Sequence, residues 1–418
     1  MNFFKTIVLS GISTIIKMLS WLFINKIIAV HIGPTGIALI GQFQNLLNII
    51  VTFGNGAISN GVTKYVAEYS EVDEENKNGL ISAAFVISFI CSLLVGIITF
   101  IGSSHLSIWI FRTVEYHSIV KLLGITLTLI SFNTILLSIL NGLKKIKFFI
   151  LINIANSLLS LLITSLLTIK FGIYGALFSL VIVQSVIIFI TLPLVVKKID
   201  YRFSFKSIEK SHYKKLLAFS IMTLVSIGIG SLTQILVRNH VITLFSVEEA
   251  GYWQSVWMIS SMNLVIFSTA LSTYYLPKLS ELQKDEDLRN EIVDGYKIIL
   301  PLLFISSFCI FFLRDFITIS LFTKEFSAMK PLFAFQLLGD FFKMASFSLA
   351  YLMISKAMIK KFIITEIIFS FSFYILTVIF VKINGLEGVT HAYSLNYFLY
   401  LVTMVVLFRH IIFLKKAK

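Results

Sequence analysis

Few side chains in this sequence can do ionic chemistry, and their placement singles them out. Lys17 stands about ten residues into the first apolar run, roughly 15 Å deep at ~1.5 Å per residue. An ammonium facing lipid at that depth costs at least ~2.5 kcal/mol, so it must meet water, a carboxylate or an anionic ligand. Lys26 is nine residues further on, about a half-turn around the helix and near the outer interface, where a lysine can snorkel. Asp340 and Lys343 are three residues apart. That spacing either pairs them or leaves Asp340 to exchange a proton or a partner. Glu366 follows Lys361 by five residues, a position that suits interface exposure as well as a coupling role. Arg238, Arg314 and Lys324 lie near the outer ends of apolar runs, at a cavity mouth or at the interface.

Buried carboxylates are therefore scarce and deep cations several. A cavity of that sign favours an anionic ligand, because phosphate and pyrophosphate need charge-assisted donors once desolvated. Asn45 and Asn48, beside Gln42 and Gln44, and Trp253, Gln254 and Asn263, with Ser260, are the polar candidates for the same space. Interhelical hydrogen bonding accounts for them equally well.

The elements that position these residues follow from composition. Of 418 residues 57% are hydrophobic and only 13% charged, with a mean hydropathy of +0.92. Such a chain cannot cover itself with polar surface, and two cysteines make no disulfide framework. It reads as a polytopic membrane protein. Stretches free of Asp, Glu, Lys and Arg span Ile27–Thr63, Asn78–Phe111, Leu122–Leu143, Phe148–Ile169, Phe171–Val196, Leu216–Val237, Ala250–Pro277 and Gly388–Phe408. Thr6–Val30, Ile298–Leu313, Pro331–Ser355 and Phe362–Val381 are weaker, which brings the expected total to twelve helices. The runs are continuous rather than alternating, against a β-barrel. Thr6–Val30 lacks a small-residue cleavage site and is read as a retained first helix.

The formal net charge is +14. With a cytoplasmic N-terminus, alternate connections collect Lys144, Lys145 and Lys147, then the cluster from Lys197 and Lys198 through Arg202, Lys206 and Lys210 to Lys214 and Lys215, then Lys356, Lys360 and Lys361. The tail adds Arg409, Lys415, Lys416 and Lys418. Basic loops stay inside, so both termini are expected in the cytoplasm. The charge then reports topology and affinity for anionic membrane lipids, and no nucleic-acid partner is expected. The basic connection 197–215 separates an N-terminal six-helix bundle, 1–196, from a C-terminal one, 216–418. Gly36 and Gly251 open the second helix of each half, and Asn48 and Asn263 follow at the same offset, a weak internal repeat. Same-orientation repeats of this kind occur in transporters, with the substrate between the halves.

The sequence contains no Walker-type loop, HExxH or CxxC pairing, so neither an ATP motor, a metal nor a cofactor is expected. Cys91 and Cys309 sit in apolar runs and are read as buried, inert thiols. No large connection exists to house a catalytic site, and the chain is read as a transporter rather than an enzyme.

The segment from Lys17 through Lys26-Ile-Ile-Ala-Val-His-Ile-Gly-Pro-Thr-Gly36 resembles the bacterial Wzx flippases, as does Asn60-Gly-Val-Thr-Lys64-Tyr-Val-Ala-Glu68-Tyr. The resemblance continues through Gly251-Tyr-Trp-Gln254, Tyr275-Leu-Pro-Lys-Leu-Ser280, Leu313-Arg-Asp315, Lys324-Glu-Phe-Ser-Ala-Met and Phe335-Gln-Leu-Leu-Gly-Asp340-Phe-Phe-Lys343. It is most specific to the branch of O-antigen and enterobacterial common antigen (lipid III) flippases.

This resemblance implies the fold of the multidrug/oligosaccharidyl-lipid/polysaccharide (MOP) superfamily: an all-α polytopic protein with twelve transmembrane helices in two six-helix bundles around a central cavity, as in MATE transporters. It implies a bacterial inner-membrane protein in polysaccharide biosynthesis. The cargo would be an undecaprenyl-pyrophosphate-linked oligosaccharide carried to the periplasmic leaflet, with an O-antigen polymerase and a chain-length regulator as partners. Lys17, Lys26, Lys64, Asp340 and Lys343 match charged positions of the pattern. Competing readings are a MATE-like exporter of small cations, which would need an acidic cavity, and an integral-membrane glycan polymerase or ligase, which would need a large periplasmic loop. A passive scaffold would have no use for Lys17 at the midplane.

Overall fold

A computed structural model describes residues 3–69, 73–197, 207–356 and 358–413. The connection carrying Lys198, Arg202 and Lys206, and the tail lysines 415, 416 and 418, lie outside the described residues. Among the described residues the chain is helical, with no strand. In chain order the helices are α1 (Phe3–His31), α2 (Gly33–Gly54), α3 (Ser59–Tyr69), α4 (Glu74–Ile101), α5 (Ser103–Phe111), α6 (His117–Gly142), α7 (Ile146–Val186), α8 (Ile188–Val196) and α9 (Lys210–Thr223). They continue with α10 (Gly230–Leu244), α11 (Val247–Ala270), α12 (Leu276–Glu281), α13 (Asp285–Phe312), α14 (Arg314–Leu321), α15 (Phe333–Ser355), α16 (Ile359–Asn384), α17 (Gly388–Leu407) and α18 (Arg409–Ile412). Wider π-helical turns at Leu224–Ile229 and Leu271–Tyr275 join α9 to α10 and α11 to α12.

Among the described residues these helices make up twelve membrane-length segments. Helix α7 runs as 41 residues but breaks at Gly172 (φ 57°, ψ −136°), a backbone region that a residue with a Cβ rarely adopts. Its two arms fold back on each other, and Ser179 Oγ of the second donates to Thr164 Oγ1 of the first at 3.0 Å. The second arm with α8 makes one span, α9 with α10 another, and α16 and α17 are separated at Gly385–Glu387. Helix α13 is longer than the apolar run that announced it, because the acidic first turn Asp285–Asp287 already belongs to the helix.

By its contacts the chain divides into two units, Met1–Ile32 with Leu39–Ile235, and Gly33–Ala38 with Leu236–Lys418. In the first, α3, α4, α6 and α9 share a core built from Ile58, Val62, Leu80, Ile87, Ile135 and Leu216. The opposite face of α4 (Phe89, Leu93, Leu94, Ile97, Ile98, Ile101) is exposed, while Ser82, Ser88 and Ser92 point inward. Small polar residues at helix contacts and large apolar ones outside are what a bilayer solvent demands. Ser92 Oγ donates to Thr128 Oγ1 of α6 at 3.1 Å.

Helix α4 starts at Asp73, whose carboxylate accepts from Asn76 N at 3.0 Å and Asn76 Nδ2 at 2.6 Å, an N-cap. Asn76 Oδ1 in turn meets His212 Nε2 at 2.9 Å, and the Glu209 amide donates to His212 Nδ1 at 3.1 Å. Since Nδ1 must accept, the proton of the neutral ring sits on Nε2. This relay, with a Lys215–Tyr69 hydrogen bond and the cation–π contact of Lys215 on the Tyr69 ring, fastens the start of α9 to α3 and α4.

In the second unit, α15 packs against α11, α13, α16 and α17. Ser246 caps α11 by accepting from Glu249 N at 3.0 Å. Tyr296 of α13 donates to the Ala345 carbonyl of α15 at 2.7 Å, and Arg289 Nε donates to the Ile412 carbonyl of α18 at 3.1 Å. The outer face of α13 (Ile298, Leu302, Ile305, Phe308, Phe312) is exposed and apolar, a lipid-facing stripe.

Candidate functional site

The second unit buries a polar cluster around Asp340 of α15. The residue is fully buried, and its Oδ1 accepts from Ser260 Oγ of α11 at 2.7 Å and from Tyr393 Oη of α17 at 2.9 Å. Gln336 Nε2, one turn back on α15, donates to Ser260 Oγ at 3.1 Å. Tyr393 can reach in because position 339 is glycine: a Cβ there would lie 2.3 Å from Tyr393 Cδ1. Lys343, one turn further along α15, makes no direct ion pair with Asp340. Its ammonium stands among four rings, 5.0 Å from the Tyr397 centroid, 5.4 Å from Trp257, 5.5 Å from Phe347 and 5.8 Å from Tyr393. The pairing expected from their spacing is thus replaced by separate partners, hydroxyls for the carboxylate and aromatic faces for the ammonium. Glu366 is half-buried on α16 and within electrostatic reach of Lys343.

Arg238 of α10 is also buried rather than resting at an interface. Its guanidinium donates to Gln254 Oε1 and lies over the Trp253 ring at 5.5 Å. Trp253, fully buried, stacks edge-on against Trp257 at 5.9 Å and so connects to the rings around Lys343. Asn263 Nδ2 donates to Ser307 Oγ of α13 at 3.4 Å. Arg314 is set apart at the start of α14, donating to the Phe311 carbonyl at 2.8 Å and lying 4.3 Å over the Phe311 ring. Of the sequence candidates in this unit, Trp253, Gln254, Arg238, Asp340 and Lys343 are brought into one connected group. Asn263, Glu366 and Arg314 stand outside its hydrogen bonds.

In the first unit, Lys17 is exposed and lines a cavity of about 210 Å3 between α1, α2 and α7. It has no hydrogen-bond or ionic partner among the described residues. The walls include Trp21, Asn25, Gln44, Asn156, Ser160 and Gln184. Lys26 is half-buried further along α1 and does not line this space. Asn45 is half-buried and Asn48 exposed on α2, and neither lines it. Asn48 and Asn263, equivalent by sequence offset, therefore occupy unlike surroundings, one exposed and one buried. Lys64 is exposed on α3, 4.9 Å over the Tyr65 ring.

Sequence reasoning missed Asn25, Asn156 and Gln184 in the first unit and Gln336 and Tyr393 in the second. A signal existed for one wall: Asn156, Ser157, Ser160 and Thr164 recur at helical spacing within an otherwise apolar run.

Comparison with known proteins agrees with this architecture. The profile of the family described as "Polysaccharide biosynthesis protein" matches residues 4–283. The chain is 28% identical over 415 residues to the lipid III flippase of Escherichia coli (strain K12), covering 96% of each. Among solved structures, an inward-facing multidrug resistance MATE family transporter of the MOP superfamily superposes with a TM-score of 0.79 at 18% identity, covering 97% of this chain and 98% of that one. The lipid II flippase MurJ, in an inward closed conformation, gives 0.74 at 19% identity, covering 97% of this chain and 90% of that one. At these identities the solved structures speak to the fold, a twelve-helix MOP-type architecture.

Proposed function

The chain belongs to the polysaccharide biosynthesis protein family, and from that premise we propose that it is a flippase for an undecaprenyl-pyrophosphate-linked oligosaccharide. It carries an O-antigen repeat unit or a related glycan from the cytoplasmic to the periplasmic leaflet of the inner membrane by alternating access. Its two six-helix halves by sequence are 1–196 and 216–418, although 216–235 packs with the first unit by contacts, and both termini are cytoplasmic. The observation that carries this reading is the match to the lipid III flippase along 96% of both chains. The physical support is the sign of the charges: Lys17 in a cavity wall, Arg238 buried and Lys343 half-buried among aromatic rings, against few buried carboxylates.

In this reading cations hold the pyrophosphate, with Lys17, Lys26, Lys64, Arg238, Arg314 and Lys343 as the binding set. Charge-assisted donors replace the water that the headgroup loses. Asn45, Asn48, Trp253, Gln254 and Asn263 add polar contacts. The polyprenyl tail trails in lipid, where it costs nothing to leave it. The drive is either an ion gradient, with Asp340 and secondarily Glu366 as the coupling groups, or removal of product by a polymerase with its chain-length regulator. The chain acts as a transporter and carries out no bond chemistry.

The test is transport of labelled lipid-linked glycan in reconstituted vesicles. Lys17→Ala and Asp340→Asn should each slow it at equal protein levels; wild-type rates in both would remove this site assignment.

A further inference from the structure

The first unit contains a cavity lined mainly by neutral amides, with one cation of the proposed pyrophosphate set, Lys17, on its wall. Its volume of about 210 Å3 is room for about seven waters at ~30 Å3 each. Four side-chain amides line it, Asn25 from α1, Gln44 from α2, Asn156 from the first arm of α7 and Gln184 from the second. Trp21 adds an aromatic edge, and Lys17 is the one charged residue among the lining side chains. No Asp or Glu lines it. A neighbouring space of about 200 Å3 shares Asn156 and Gln184 and adds Asn133. The Oδ1 atoms of Asn133 and Asn156 are buried and have no hydrogen-bond partner among the described residues.

Each ligand class makes different demands. A bound cation would need carboxylates, and this wall has none. A polyanion would need several cations, and it has one. An apolar ligand would leave amide oxygens unsatisfied in a dry space. A side-chain amide carries donor and acceptor together, which is the pattern that neighbouring sugar hydroxyls present in mirror image. An indole covers the C–H face of a pyranose ring while the amides meet its rim.

We propose that this cavity is a glycan-reading site that takes one sugar ring of the cargo, with Asn156 and Gln184 hydrogen-bonded to its hydroxyls. The proposal rests on the flippase reading above and adds to it where selectivity resides: in neutral amides of the first unit, with Lys17 on the same wall left to meet the adjoining pyrophosphate. Asn156 Oδ1 finds its partner in the bound sugar.

The experiment measures equilibrium binding to the full-length protein in liposomes with two radiolabelled probes. One is the undecaprenyl-pyrophosphate-linked glycan extracted from the producing cells; the other is undecaprenyl pyrophosphate bearing no sugar. Asn156→Leu and Gln184→Met, close in volume to the residues they replace, should each weaken the first probe by about tenfold or more, because a site built to hydrogen-bond hydroxyls loses most when that partner is removed. Binding of the second probe should stay within about twofold. Asn156→Gln, which keeps the amide, should retain part of the preference, and Ser160→Ala serves in place of any variant that does not fold. Equal weakening of both probes, or of neither, overturns the glycan site. Wild-type protein that binds the two probes equally overturns it as well while leaving the flippase reading standing. Wild-type protein that binds neither defeats the flippase reading itself and the glycan site with it.

Discussion

Tyr393 donates a 2.9 Å hydrogen bond to Asp340 Oδ1, and its ring lies 5.8 Å from the Lys343 ammonium. One side chain thereby serves a carboxylate through its hydroxyl and a cation through its face. Removing the hydroxyl in Tyr393→Phe leaves the ring contact and weakens the carboxylate alone. Hydrogen bonds to charged groups contribute ~1.5–3 kcal/mol, so a loss of stability of that order, read as a lower melting temperature, is expected in detergent. Asp340→Asn keeps an acceptor for Ser260 and Tyr393 while removing the charge. It should therefore stay folded and, if Asp340 couples transport, flatten the dependence of transport rate on pH.

Gly339→Ala tests the same contact from the backbone side. The new methyl group would sit 2.3 Å from Tyr393 Cδ1, so the ring must move off Asp340. Overpacking of this kind costs ~1–3 kcal/mol. Thermal unfolding should show the loss, and Gly339→Ala combined with Tyr393→Phe should cost less than the sum of the two, because both act on one contact.

Lys343→Met removes the ammonium from its ring of aromatic faces but keeps an unbranched chain of similar length. The loss of these cation–π contacts around a half-buried ammonium is expected to be about 1–2 kcal/mol, partly offset by better burial of the thioether. A variant that melts within a degree of the wild type would show that the rings hold Lys343 for function rather than for stability. Transport measured beside the melting curve separates the two.

The start of α4 makes a pH-dependent prediction outside the membrane segments. Side-chain and backbone hydrogen bonds from Asn76 hold the Asp73 carboxyl below its ordinary value of 3.8. A depressed carboxylate stabilises the fold fully above that ordinary value, and the contribution is lost as pH falls through the lower, folded one. Asp73→Asn keeps a capping acceptor that does not titrate, so its melting temperature should fall less than that of the wild type over this acidic window. Asp73→Ala should lower the melting temperature at neutral pH as well.

The helices and their number were legible because hydropathy is a one-dimensional signal: a span must carry its own apolar run wherever its neighbours are. The break at Gly172 could be placed to within a few residues because Lys170 interrupts the run there. That Lys17, Asp340 and Lys343 lie within apolar helices was legible for the same reason. Their partners were not. Spacing alone offered Asp340 only Lys343 or an exchanging proton, whereas Ser260 and Tyr393 arrive from helices 80 and 53 residues away. Neutral amides hide even better, since an isolated Asn156 or Gln184 barely lowers the hydropathy of its run. Only folding brings Asn25 and Gln184 to one wall.

Asn156 and Gln184 stand on opposite arms of the α7 hairpin, roughly 24 Å and 18 Å along the helix from Gly172 at ~1.5 Å per residue. A small change of bend at that glycine is magnified along both arms into a change in the gap between the two amides. If the gap gauges a sugar, the width of the gauge is set far from its jaws. A descendant of this chain could then accept a bulkier or slimmer glycan by altering the turn alone, with every residue that touches the cargo left as it is.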